Sequence, residues 1–229
     1  SEMCIRDRTG KTAYTLTFEG VPNGASEYKV YSMSGAVVAG AKIEETANGI
    51  YRITGLEKGT EYKIEGDVLG STTGKTALVD AEDIAKQFED KQGDTKANGK
   101  KDKDEEAENP NVKVVVDDEG NYKVIVKKDI NHSVEIPDTW GDVKVDLGGN
   151  SINGNDADAA NSAKPGLIFK KDSGNDHPGT NLVISNGTIQ GGNGSAAHPD
   201  GAAGIGTATP DRPADAKITV GEDAKVQGG

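Results

Sequence analysis

The chain has 229 residues, a formal net charge of −12, 31 glycines and a single cysteine, and only 43 residues are Leu, Ile, Val or Phe. No run approaches the roughly 18 apolar residues of a membrane span, and no cluster of Lys and Arg stands out to hold phosphates, so a membrane helix and a nucleic-acid surface are both disfavoured. One cysteine excludes an intrachain disulfide framework and a thiolate metal cage, and the average composition lies near the margin of disorder.

Residues 1–8, SEMCIRDR, resemble sequencing-adapter read-through and are expected to lie outside the fold, Cys4 with them. Residues 9–80 then alternate in short runs: Tyr14, Leu16 and Phe18; Tyr28 and Val30; Val37 and Val38; Ile50 and Ile53; Tyr62 and Ile64. Turn signals separate the runs, at Pro22-Asn23-Gly24, Ser34-Gly35, Asn48-Gly49 and Lys58-Gly59. Period-two patterning at this spacing predicts a small antiparallel β-sandwich. The domain has no histidine and its carboxylates are scattered, which suits a spacer or binding module.

Residues 81–110 carry ten acidic and six basic side chains but only Ile84 and Phe88 from the large apolar set. So little apolar surface predicts a flexible charged linker, with a coil span of about 30 Å.

The remainder, 111–229, repeats. A 37-residue shift relates Ile152, Ile189 and Val226, then Gly154, Gly191 and Gly228, with Asn153, Gln190 and Gln227 between them. The same shift pairs Ile168 with Ile205, and Val145 and Leu147 with Leu182 and Ile184, while Ile218 and Val220 need a slip of one. Each copy holds three brief apolar pieces separated by Gly, Asn and Ser. Three short strands per turn, parallel between turns, describe the start of a right-handed parallel β-helix. The hairpin pattern of Val112 to Lys128, with the segment Ile130 to Leu147, is expected to cap its open end. The third copy stops within itself, so the sequence is expected to be cut short. The fold class is therefore all-β, a small sandwich followed by the N-terminal part of a β-helix.

Two resemblances add to this. Ile53 to Ile64, ITGLEKGTEYKI, resembles the fibronectin type III turn, which makes Tyr62 a corner tyrosine with a buried ring and a hydroxyl bonded to upstream backbone. The absence of an early tryptophan keeps a collagen-binding B-type sandwich open. VEIPDTWGDVKVDLGGNSING and NLVISNGTIQGG resemble adhesin-like β-helix proteins of gut Firmicutes, in the pectate-lyase-like superfamily. That resemblance implies an extracellular or cell-surface location, a larger multidomain parent, and interaction with a polysaccharide or host glycan. It implies no activity, because the fold hosts lyases, hydrolases, adhesins and stalks.

The candidate sites are few. A lyase needs calcium on a carboxylate cluster and an Arg or Lys base; Arg212, between Asp211 and Asp215, is the one arginine in this half, and no acid recurs on a strand at the repeat offset. Asp156 and Asp158, with Asn155, in one loop, and Asp172 and Asp176 in another, offer oxygen ligands that could hold calcium; no other cofactor is expected. GGNGSAAHP resembles the calcium nonapeptide of repeat toxins but has Ala196 where Asp is required. His132, His177 and His198 read as turn residues. Trp140 reads first as a lid on the core and second as a sugar-stacking platform. The leading expectation is a non-enzymatic module for adhesion or glycan binding. A fragment of a carbohydrate-active enzyme with its catalytic coils elsewhere, and a passive stalk, are the alternatives.

Overall fold

The structure, a computed structural model, describes residues 6–66, 70–98, 105–172, 178–208 and 214–229. It is all-β, as the patterning predicts, and it divides into two units. The first comprises the described parts of 1–80, 98–105 and 116–122, the second those of 81–97, 106–115 and 123–229.

The first unit is a sandwich of two antiparallel sheets. Strands β1 (Arg6–Lys11), β2 (Leu16–Glu19), β4 (Lys42–Ala47) and β5 (Ile50–Thr54) form one sheet in the order β1-β2-β5-β4. Strands β3 (Tyr28–Ser32), β6 (Glu61–Gly66) and β7 (Gly70–Lys75) form the other, in the order β3-β6-β7. Alternation along each strand sends Leu16, Phe18, Tyr51 and Ile53 inward from one sheet and Tyr28, Val30, Tyr62 and Ile64 from the other, into one core. Phe18 meets Tyr28 edge-on and stacks on Tyr51, with ring centroids 5.0 and 5.3 Å apart. Tyr62 is buried and its hydroxyl accepts the Glu57 N–H at 2.8 Å, the corner geometry expected of it. Residues 6–8, expected outside the fold, begin β1, and Arg6 pairs with Glu19 of β2; Cys4 lies outside the described residues.

Tyr122 belongs to this unit as well. Its hydroxyl accepts the Ala13 N–H at 2.8 Å and lies 2.8 Å from the buried Glu105 carboxylate, to which it donates.

The second unit is a three-sided parallel coil stack. The first coil comprises β12 (Val134–Pro137), β13 (Gly141–Asp146) and β14 (Ser151–Asn153). The second comprises β15 (Leu167–Lys170), β16 (Thr180–Ser185) and β17 (Gly187–Gln190), and the third β18 (Ile205–Thr207), β19 (Ala216–Val220) and β20 (Ala224–Gln227). Each strand pairs in parallel with its counterpart one coil on. Inward columns therefore stack across coils: Val143, Leu182 and Ile218; Val145, Ile184 and Val220; Ile152, Ile189 and Val226. The third coil is the least covered, with Val220 and Val226 42% and 40% exposed.

The repeat register departs from a uniform 37-residue shift in four of the six parallel pairs: Val134 pairs with Leu167 at 33, Leu182 with Ile218 at the expected slip of one, and two others differ as follows. Val145 pairs with Ile184 rather than Leu182, a slip of two that keeps the same face inward. Ile205 pairs with Leu167, and Ile168 with Gly206, a slip of one that changes which residue faces the core. Loops of unequal length between the strands set these local offsets.

The cap is also different from expectation. Strands β12 and β13, expected within the cap, are themselves the first coil. Above them, β8 (Lys96–Asn98), β9 (Glu106–Glu108), β10 (Val112–Val116) and β11 (Tyr122–Val126) extend the β13 sheet in the order β13-β11-β10-β9-β8. The expected flexible linker supplies part of this cap. Helix α1 (Ala81–Lys86) buries Ala81, Ile84 and Ala85 and packs on β9. Phe88 is fully buried and meets Trp140, with centroids 6.1 Å apart. Asn109 Nδ2 donates to the Ala85 carbonyl at 2.8 Å, and Asn111 Nδ2 to the Phe88 carbonyl at 2.6 Å. Two large apolar residues suffice because alanines fill the rest of the contact and asparagine amides satisfy the carbonyls at the helix end.

Candidate functional site

On the side of the coil stack formed by β14 and β17, an open cleft of about 530 Å³ is lined by Asn131, Asn153, Gly154, Asn155, Asp156, Gln190, Gly191 and Asn193. Its construction follows from strand alternation. Ile152 and Ile189 point into the core and are fully buried, so Asn153 and Gln190 next to them point out, one above the other. Ile130 forms a parallel bridge with Ile152, which places Asn131 one level before Asn153. Gln227 follows Gln190 on the third coil. The result is a row of amides, one per level.

The amides are tied along the row. Asn153 Nδ2 donates to Asn131 Oδ1 at 2.9 Å, and Gln227 Nε2 to Gln190 Oε1 at 3.2 Å. A second row stands beside the first on the loops that leave β14 and β17. Asp156 Oδ1 accepts from both the backbone N–H and the amide of Asn193, at 2.7 and 3.1 Å. Asn155 Oδ1 accepts the Ser133 N–H at 2.8 Å.

These loops stack as the coils do. Lys164 donates its N–H to the Asn155 carbonyl, Gly192 to that of Lys164, Ala202 to that of Gly192, and Gly229 to that of Ala202, each at 2.8 to 2.9 Å. The outgoing and returning limbs thus form a hydrogen-bonded flange along the cleft. Close approach of the limbs explains the recurrent glycine at 154 and 191. A Cβ on Gly154 would overlap the Lys164 carbonyl oxygen, and one on Gly191 the Ala202 carbonyl oxygen.

Of the four aspartates expected as cation ligands, Asp156, Asp158 and Asp172 are among the described residues and join no group set to hold a metal ion. Asp156 lines the cleft, bound to Asn193. Asp158 lies further along the flange loop and accepts from the Ala160 and Asn161 N–H groups and the Asn161 amide; the Ala160 N–H foremost, these bonds hold its carboxyl below the usual range. Asp172 follows β15, and its N–H donates to the buried Asp138 carboxylate at 2.8 Å. Asp176 lies outside the described residues, as do His177, Asp211 and Arg212. Among the described residues no group of three or more His, Cys, Asp or Glu side chains is set to hold a metal ion.

Trp140 corrects the sugar-platform expectation. It is 1% exposed, under Phe88 in the cap, and presents no face to a ligand. Of the histidines, His132 is half-buried and places Nε2 3.4 Å from Asp90 Oδ1, while His198 donates its N–H to Ser195 within a turn. Among the described residues no helix is long and apolar enough to cross a membrane.

Sequence reasoning missed Asn131 and Asn193 and offered Asn155 only as a cation ligand. The 37-residue offset already aligned Asn153, Gln190 and Gln227, and it also relates Asp156 to Asn193. Asn131 sits 22 residues before Asn153, ahead of the repeat, so no repeat offset could reach it. Comparison with protein-family models, curated proteins and solved structures finds no match for this chain.

Proposed function

We propose that this chain is a non-enzymatic module of an extracellular or cell-surface protein, and that it holds a glycan in the amide-lined cleft. The observation that carries this reading is the two rows of Asn, Gln and Asp side chains on successive coils. Amides offer paired donors and acceptors at fixed spacing, which suits the hydroxyls of a sugar chain. Glycoside cleavage calls for two carboxyl groups flanking the scissile bond, whereas the residues lining the cleft include one carboxylate, Asp156, engaged with Asn193. The sandwich serves in this reading as a spacer or second binding module.

A glycan array probed with the whole chain and with the double variant Asn153→Ala/Gln190→Ala tests the proposal. Saturable binding by the parent, at least tenfold weaker in the variant and without release of reducing ends, is expected. Absence of binding to every glycan would favour a passive stalk, and turnover of a bound polysaccharide would favour an enzyme.

A further inference from the structure

The chemistry of the cleft narrows the ligand, on the reading that it binds a glycan. The lining residues include no Lys, Arg or His, and Asp156 contributes a negative charge to a chain already at −12. A uronate or sulfated sugar would bring its own negative charge beside Asp156 with no cation of the lining to offset it. Hydrogen-bond polarity points the same way. Asn153 donates to Asn131, Gln227 to Gln190, and Asn193 to Asp156, so each bond between rungs uses one N–H and one oxygen site and leaves capacity of both kinds in the rows. The lining amides therefore keep both acceptor and donor capacity. A hydroxyl satisfies both kinds of group, whereas a carboxylate or sulfate accepts only.

The rows also fix a direction. Asn131, Asn153 and Gln190 stand on three successive levels, and parallel strands rise about 4.8 Å per level. We propose that the cleft binds an extended, uncharged, hydroxyl-rich polysaccharide along the coil axis, meeting the amide row over three levels with Asp156 and Asn193 beside it, and that it rejects acidic polysaccharides.

Titration calorimetry of the whole chain with a neutral β-glucan hexasaccharide and with a galacturonate hexasaccharide of equal length, at low ionic strength, tests this. The neutral sugar should bind at least about fivefold more tightly, the factor set by two like charges about 4 Å apart in water. Asp156→Asn should narrow that ratio by strengthening galacturonate binding, with thermal unfolding followed at Trp140 as the check on folding. In a series of neutral oligosaccharides, affinity should rise with length and level off once three levels are spanned. Equal or tighter binding of galacturonate overturns the inference and leaves glycan binding standing. Failure of both probes and of every arrayed glycan overturns glycan binding itself, and this inference with it.

Discussion

Replacing Phe88 with alanine discriminates between a flexible linker and a folded cap. Phe88 is fully buried and its ring lies over Trp140. Burying a phenylalanine side chain stabilises by roughly 1.5 to 3 kcal/mol. Truncating it also leaves a cavity between α1 and the cap sheet, which brings the expected loss to about 3 to 5 kcal/mol. The assay is urea unfolding followed by the fluorescence of Trp140, the only tryptophan in the chain. Because Trp140 lies in the second unit, the signal reports on the coil stack and its cap, and the tyrosine signal of the sandwich is a separate channel. Phe88→Ala should lower the urea midpoint of the tryptophan transition by an amount corresponding to those 3 to 5 kcal/mol and leave the tyrosine transition in place. A solvated linker would tolerate the change within about 0.5 kcal/mol, as surface positions do. A shift that small would refute the packing of 81–90 described above.

Two further changes test the sandwich and the flange. Burial first, and the Glu105 carboxylate second, push the Tyr122 phenol well above its ordinary range. The folded state therefore keeps this proton after the unfolded chain releases it near pH 10, so the stability it contributes is intact below pH 10 and declines as pH rises further. Tyr122→Phe removes the acceptor of the Ala13 N–H and the donor to Glu105, and should cost about 1 to 3 kcal/mol at pH 8. Its stability should fall less steeply than the parent's above pH 10 in urea melts read by near-ultraviolet circular dichroism; an unchanged slope contradicts the assignment. Gly191→Ala should cost about 1 to 3 kcal/mol in the Trp140 melt, because its Cβ would meet backbone atoms of Ala202. Gly228→Ala, in the same unit and with only an ordinary 3.5 Å contact to the Ala202 carbonyl oxygen for its Cβ, should be nearly neutral, and equal effects at both positions would remove the steric account of Gly191.

Much of this architecture is legible in the residues because alternation has a fixed period. Leu16 and Phe18, or Ile152 against Ile189, declare an inward face without any knowledge of their partners. The 37-residue shift holds along the β14, β17 and β20 side, where Ile152, Ile189 and Val226 pair as aligned. It fails beside it, where unequal loops change the spacing, and the consequence depends on parity. The two-residue slip at Val145 keeps the same face buried, whereas the one-residue slip at Ile168 does not. Composition misjudged 81–110 because it counts large apolar residues and gives no weight to Ala81, Ala85 and Ala107, all buried, or to asparagines that hold backbone carbonyls.

The candidate site was harder to read for a related reason. Apart from Asp156, the side chains that line it are neutral amides, a residue type that turns use everywhere, and attention to carboxylates led to Asp156, Asp158, Asp172 and Asp176 as ion ligands. What distinguishes the cleft amides is position. Asn153 and Gln190 each follow a core isoleucine and each precede a glycine that admits the returning loop limb. The isoleucine sets the direction of the amide, the parallel pairing sets its height, and the glycine lets the flange close against it. The row on β14 and β17 therefore arises from the same three constraints that build the coil, which is why it lies along the coil axis and why any chain-like ligand it holds must lie along that axis too.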